Sequence, residues 1–174
     1  GADNDDIDVG TVGNGANVSV TGDAGDDDIR VYGYDNRQRT YEPLDGGGSF
    51  RASNNDQAAE MMVVSAMGGE GDDSLNVNNV GEGSMVTVSG DGGEDNISVD
   101  AGESYVRTYN EDGYATQRNE IDASDVTVTA NGGDNDDYIT VGDFGDNANL
   151  TITGDAGEDD INVYGGRTSN TTYS

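Results

Sequence analysis

Five short stretches of the chain alternate an aliphatic residue with a small hydroxyl residue: Val18–Val20, Val64–Ala66, Val86–Val88, Val128–Ala130 and Leu150–Ile152, each with a Ser or Thr between. Period-two alternation predicts β-strands with one buried and one wet face. After each stretch comes a run of Gly and acidic residues, then a lone aliphatic that starts a second short strand. These anchors are Ile29, Leu75, Ile97, Ile139 and Ile161, and Ile7 is a sixth near the start of the chain. Successive anchors lie 22, 46, 22, 42 and 22 residues apart. In the short spacings Val12-Gly13, Val80-Gly81 and Phe144-Gly145 occupy one shared place, a second turn. A 22-residue unit therefore reads as strand, Gly turn, strand, acidic turn. Its inward side chains are single Val, Ile and Leu, so the core is thin and each unit has to bury its face against its neighbours.

The longer spacings divide the chain into superrepeats 1–67, 68–131 and 132–174, treated as one domain over 1–174. Each longer spacing carries an insertion of polar, alternating residues around a turn signal. One runs from Tyr34–Tyr41 to Ser49–Ser53 around Pro43-Leu44-Asp45-Gly46, the other from Tyr105–Tyr109 to Tyr114–Arg118 around Asn110-Glu111-Asp112-Gly113. Two strands about a turn predict a β-hairpin. One further unit of the main repeat is the alternative, although neither insertion has the Val-x-Val pattern. The insertions hold five of the seven arginines and five of the nine tyrosines. At the end of the chain, residues 167–173 match only the first strand of such a hairpin, without a visible partner. The first acidic turn has no Val-x-Val strand before it.

Six acidic turns share the frame Gly-(Gly/Asp)-x-(Gly/Asp/Asn)-x-Asp-x-(Ile/Leu)-x. They cover residues 1–8 (the first position missing), 22–30, 68–76, 90–98, 132–140 and 154–162. Position six is Asp5, Asp27, Asp73, Asp95, Asp137 and Asp159 without exception. Position two is Asp23, Asp91 and Asp155 in the even copies and Gly in the others, while Asp3 takes position four of the first. Glycines allow tight turns on which carbonyl oxygens converge, and aspartate adds a hard anionic oxygen of the kind Ca²⁺ takes in sets of six to eight. The frame resembles the calcium-binding nonapeptide of the RTX family, whose repeats build a parallel β-solenoid. The resemblance implies an all-β parallel β-helix or β-roll solenoid of about 22-residue rungs with two inserted hairpins. It also implies Ca²⁺ held between successive turns, with ligands from both. Six turns in one column have five gaps, so five ions fit within the chain and a sixth full site takes a turn from a neighbour. The ligand candidates are the six position-six aspartates with Asp23, Asp91, Asp155 and Asp3. One nonapeptide per 22 residues, in place of the family's tandem nines, leaves the second ligand set open.

Charge sharpens this reading. Net charge is −29, with 36 acidic residues, seven Arg, and no Lys or His. Self-repulsion on that scale opposes compaction, and six divalent ions would bring the charge to about −17. Order is therefore expected with calcium and disorder without it. No basic patch is available to neutralise phosphates, which argues against nucleic acid. Cysteine is absent, which excludes disulfides, and no apolar stretch has the length of a membrane span.

The expected function is that of a secreted, extracellular or cell-surface calcium-binding structural protein. Millimolar calcium suits the weak sites of extracellular modules, and the resemblance implies a chain that folds on reaching it. Head-to-tail self-association into a filament or matrix is one expected use of the exposed ends. An adhesin or surface-array module in a longer polypeptide is the alternative, with cell-surface or polysaccharide contact through the Arg/Tyr hairpins. Polysaccharide lyases and epimerases also occur on parallel β-helices. Here no His, Lys or Cys offers a base or nucleophile, so no enzymatic activity is expected.

Overall fold

The alternating stretches do form strands, and the register between them is the one the repeat demands. The computed structural model describes residues 1–44, 49–166 and 168–172, with the main chain alone at 50, 54 and 168–170. Sixteen strands and no helix make up the described residues. In chain order they are β1 (Asp6–Val12), β2 (Asn17–Ala24), β3 (Asp28–Gly33), β4 (Asn36–Pro43), β5 (Ser49–Gln57), β6 (Val63–Glu70), β7 (Ser74–Val80) and β8 (Met85–Gly92). There follow β9 (Asn96–Ala101), β10 (Glu103–Tyr109), β11 (Ala115–Asp122), β12 (Thr127–Asp134), β13 (Tyr138–Phe144), β14 (Asn149–Ala156), β15 (Asp160–Gly165) and β16 (Thr168–Thr172).

Two sheets are parallel throughout. The strands that follow the acidic turns form a six-stranded sheet, β1-β3-β7-β9-β13-β15, in which Ile7, Ile29, Leu75, Ile97, Ile139 and Ile161 pair in one line. The Val-x-Val strands form a five-stranded sheet, β14-β12-β8-β6-β2, in which Val18, Val64, Val86, Val128 and Leu150 pair in another. Spacings of 22, 42 and 46 residues thus all bring like residues side by side. Inward residues of both sheets meet in one hydrophobic cluster. Its middle is closed: Ile29, Leu75, Ile97, Val86 and Val128 have no exposed surface. At the two ends burial is incomplete, with Ile7, Val9 and Val18 only partly buried and Ile161 and Val163 exposed.

The insertions are antiparallel hairpins, β4 with β5 and β10 with β11. The tip of the second closes as its Asn-Glu-Asp-Gly signal requires. Gly113 N–H donates to Asn110 O (2.9 Å), Tyr114 N–H donates to Asn110 Oδ1 (2.9 Å), and Gly113 has φ +84°. The corresponding signal in the first insertion falls partly outside the described residues. The hairpins also join each other through β5 and β10, giving a third sheet, β16-β11-β10-β5-β4. Here the structure corrects a sequence expectation. The segment near the C-terminus has a partner within the chain, since β16 pairs antiparallel with β11 from Thr168↔Ile121 to Thr172↔Gln117. The cause is the in-register repeat: β15 lies beside β13, so the strand that follows β15 is brought alongside the second hairpin.

Candidate metal column

Pairing in register places the six acidic turns one above another, and main-chain hydrogen bonds hold them there. The position-seven N–H of each copy donates to the position-six carbonyl of the copy before it, from Asp28→Asp5 to Asp160→Asp137, all at 2.8 Å. Left-handed backbone occurs at position two (Asp23, Gly69, Asp91, Gly133, Asp155) and at position four (Gly25, Gly71, Gly93, Asn135, Gly157). This explains the Gly/Asp/Asn restriction at both places, since these residues tolerate φ > 0 best.

The position-six carboxylates form a ladder. Asp5 N–H donates to Asp27 Oδ1 (2.7 Å), Asp27 to Asp73 (2.7 Å), Asp73 to Asp95 (2.8 Å), Asp95 to Asp137 (2.9 Å) and Asp137 to Asp159 (3.0 Å). One oxygen of each acceptor is thereby used. The other, Oδ2, is buried without a hydrogen-bond partner in Asp27, Asp73, Asp95 and Asp137. These four residues are only 2–3% exposed. Asp5 and Asp159, in the end copies, are more open.

The orphaned oxygens face main chain. A Cβ at the position-one glycines Gly22, Gly68, Gly90, Gly132 or Gly154 would collide with Oδ2 of the same copy's aspartate. At three of them the next copy's position-one carbonyl converges on the same point: Gly68 O lies 2.8 Å from a Cβ at Gly22, Gly132 O 2.5 Å from one at Gly90, and Gly154 O 2.8 Å from one at Gly132. Only glycine leaves that point free. In the first copy the Gly1 nitrogen donates to Gly22 O (2.7 Å), the position-one carbonyl of the next copy, and lies 3.2 Å from Asp5 Oδ2.

Unpartnered carboxylate oxygens stacked at strand spacing carry an electrostatic cost. Burial, followed by the charges of Asp73 and Asp137, pushes the Asp95 carboxyl up to about 7. Asp73 and Asp137 are raised as well, first by burial and then by neighbouring aspartates. A buried charge without compensation costs several kcal/mol, a cost that a proton or a bound cation would relieve.

The other candidate ligands are placed differently. The Asp23, Asp91 and Asp155 side chains lie on the outer surface, where Thr21 Oγ1 donates to Asp23 (3.3 Å) and Ser89 Oγ to Asp91 (2.7 Å). Their main chain, however, faces the next copy: a Cβ at Gly69 would collide with Asp23 O, and one at Gly133 with Asp91 O. This contact accounts for Gly in the odd copies at position two. Asp3 is exposed, and its carbonyl oxygen would lie 2.8 Å from a Cβ at Gly25. Among the described residues no three carboxylates gather as a side-chain metal cluster. What converges is one buried carboxylate per copy with main-chain carbonyls.

A second ladder escaped the sequence reading. At position five, Asp26 N–H donates to Asn4 Oδ1 (2.9 Å), Asp72 to Asp26 (3.1 Å), Glu94 to Asp72 (2.9 Å) and Glu158 to Asp136 (2.8 Å). It runs in the opposite sense to the first, donor to the earlier copy. The signal was present as Asn, Asp or Glu at every position five, but general acidity masks it.

Arg37, Arg51 and Arg107 of the hairpin sheet are engaged within it. Arg37 Nε donates to both oxygens of the buried Asp56 (2.9 and 3.0 Å), to which the Tyr105 hydroxyl is also hydrogen-bonded. Arg51 stacks over Tyr109 (4.4 Å to the ring centre) and Arg107 over Tyr105 (5.0 Å). No protein-family model, curated protein or solved structure matches the chain.

Proposed function

We propose that the acidic turns form a file of calcium sites along an RTX-like β-solenoid, and that the protein is an extracellular structural repeat protein ordered by calcium. One observation carries the reading: four buried aspartates in register, each with one oxygen committed to the neighbouring copy and the other orphaned, which in Asp27, Asp95 and Asp137 lies beside a position-one glycine carbonyl of the next copy. The donor set fits a hard cation. All the oxygens are carboxylate or carbonyl, which favours Ca²⁺, with its large and adaptable shell, over Mg²⁺, which needs tight octahedral geometry. Thiolate and imidazole ligands for zinc do not exist in this chain. Bound calcium supplies positive charge between turns. Asp27, Asp73, Asp95 and Asp137 would hold it through Oδ2, with the carbonyls of Gly68, Gly132 and Gly154 as partners for the copies before them. Asp5 and Asp159 complete the file at its ends.

The role is read as structural. The exposed aliphatics of the end copies and the free edges of β1 and β15 call for further copies, from the same polypeptide or from a neighbouring subunit stacked head to tail. Millimolar extracellular calcium is the setting in which weak sites of this kind fill.

The test is a calcium titration of chelator-treated protein, followed by circular dichroism and calorimetry. Calcium is expected to restore a cooperative melting transition that magnesium at the same concentration does not. An unchanged β-sheet spectrum and melting temperature in chelator and in calcium would overturn the reading.

A further inference from the structure

The five-stranded parallel sheet has an outward face unlike the rest of the surface. Three of its outward ranks, spanning Asn17–Thr21, Val63–Met67, Met85–Ser89, Thr127–Asn131 and Asn149–Thr153, hold no charged residue, and the next rank, at the margin beside the acidic turns, carries Asp23, Asp91 and Asp155. The chain as a whole is 25% charged, and the outward face of the six-stranded sheet carries Asp6, Asp8, Asp28, Arg30, Asp100 and Asp160. The middle rank is a row of hydroxyls in register: Ser19, Ser65, Thr87, Thr129 and Thr151. Among the described residues none of these hydroxyls makes a hydrogen bond within the chain. On the same face or at its margin lie Met61 (60% exposed), Val63 (41%), Met67 (40%) and Met85 (53%). The face is also regular. Its four strand pairings carry no register shift, whereas three of those in the six-stranded sheet do.

We infer that this face is a lateral contact surface for a second copy of the chain, packed sheet against sheet. Charge selects the occupant. Two molecules of net charge −29 repel wherever their acidic surfaces meet, and these three ranks let them approach without burying an ion when the axis runs along the middle rank, which leaves Asp23, Asp91 and Asp155 outside the contact. The ranks are self-complementary, because a two-fold axis along the middle rank sets unpartnered hydroxyls against hydroxyls and Val63 of one copy against Met67 of the other. Parallel sheets are ordinarily covered on both faces, and this one is covered on one. Size sets the strength. Five strands about 4.8 Å apart, each about five residues of about 3.3 Å rise, give a face of roughly 400 Å². Two such faces bury roughly 800 Å², short of the ~1,200 Å² at which specific complexes become stable alone. The contact is therefore weak for one pair, and it gains with every further copy of the repeat placed in line. It needs the folded sheet but no particular ion, so it stands apart from the calcium reading above.

The absence of native cysteine makes the test clean. Thr87 lies at the centre of the face, so under either in-plane two-fold axis it meets its own copy. Thr87→Cys protein, folded in calcium at high concentration, is treated with a short bismaleimide, and the rate of covalent dimer formation is measured. Thr140→Cys, on the outward side of β13 in the six-stranded sheet, is the control. Thr87→Cys is expected to cross-link about tenfold faster, and faster still at high salt, which screens the remaining repulsion. Ser65→Glu and Thr129→Glu, the register neighbours of Thr87, are expected to bring it down to the control rate. Their circular dichroism and calcium affinity should stay those of the parent, which keeps a lost contact distinct from lost folding or lost ion binding. Equal rates for the two cysteine variants, or a Thr87→Cys rate insensitive to the glutamates, would overturn the inference, and a neutral polysaccharide would then be the occupant to examine.

Discussion

Each repeat unit turns twice, and the two columns of turns are held together by different means. In the column opposite the aspartates, each copy has a left-handed residue two places before its Val-x-Val strand, namely Gly15, Met61, Gly83, Asp125 or Asn147, and Thr11, Asn79 and Asp143 are left-handed as well. The N–H of each of the first four donates to a carbonyl of the next copy, from Gly15→Glu60 O (2.9 Å) through Met61→Glu82 O and Gly83→Ser124 O to Asp125→Asp146 O (3.0 Å). Ser84 Oγ, buried, accepts from Met62 N–H. Main-chain carbonyls and neutral side-chain oxygens satisfy the main chain there. The aspartate column uses side chains for the same stitching and leaves a row of charged oxygens over. On the proposed reading, the first column is expected to respond little to ions and the aspartate column strongly.

Proton concentration gives the broadest way to break that comparison. Because the folded-state carboxyls of Asp73, Asp95 and Asp137 are raised, their protonated forms favour the folded chain. In chelator that contribution is complete below the ordinary carboxylate range and is lost as pH rises through about 7, the value for Asp95. Acidifying from pH 8 to pH 5 is thus expected to stabilise the calcium-free protein by a few kcal/mol. In saturating calcium, protons compete with the ion and the slope reverses. Thermal melts across pH in both conditions check the two signs. A calcium-free slope that survives unchanged in Asp95→Asn would show that general repulsion, not this column, sets it.

Asp95→Asn sharpens the comparison further, since it keeps the acceptor for Asp73 N–H and removes the charge. In calcium it is expected to cost about 2–4 kcal/mol, in the range of a broken buried ion pair. In chelator at pH 8 it is expected to stabilise. Asp112→Asn, in an exposed hairpin tip, should stay within about 0.5 kcal/mol under both conditions. Denaturant melts of the two variants with and without calcium read all four outcomes.

The smallest effect belongs to the opposite column. Met61 holds φ +53° without the short polar side chain that usually accompanies it. Met61→Gly should remove about 1 kcal/mol of backbone strain and shift stability equally in calcium and chelator. A calcium-dependent shift would mean that the two columns are energetically coupled.

Much of the parallel architecture was legible from residues whose spacing is fixed by the repeat. Ile29 and Leu75 pair across 46 residues because each follows the same turn and each needs the same inward place. The buried row from Asp27 to Asp137 was legible for a similar reason, since an aspartate two residues before a core aliphatic is carried inward with it. The outward fate of the Asp23, Asp91 and Asp155 carboxylates was not legible. It depends on φ at position two and on a carbonyl of the neighbouring copy, neither of which composition reveals. Nor did either insertion contain a sign that β5 and β10 would pair. That contact is made by the column, which sets one superrepeat against the next.

The position-six ladder gives every junction between copies a direction, and the opposed position-five ladder reinforces it at four of the five. Across a junction the earlier copy offers its position-six N–H and its position-five side-chain oxygen, and the later copy offers the converse pair. The two faces of a copy are thus complementary to each other, and on the proposed stacking a further copy in line is expected to add in the same orientation. Such contacts are heterologous and do not close. An array obeying them has distinguishable ends, so its two tips would differ in chemistry and in the rate at which they extend.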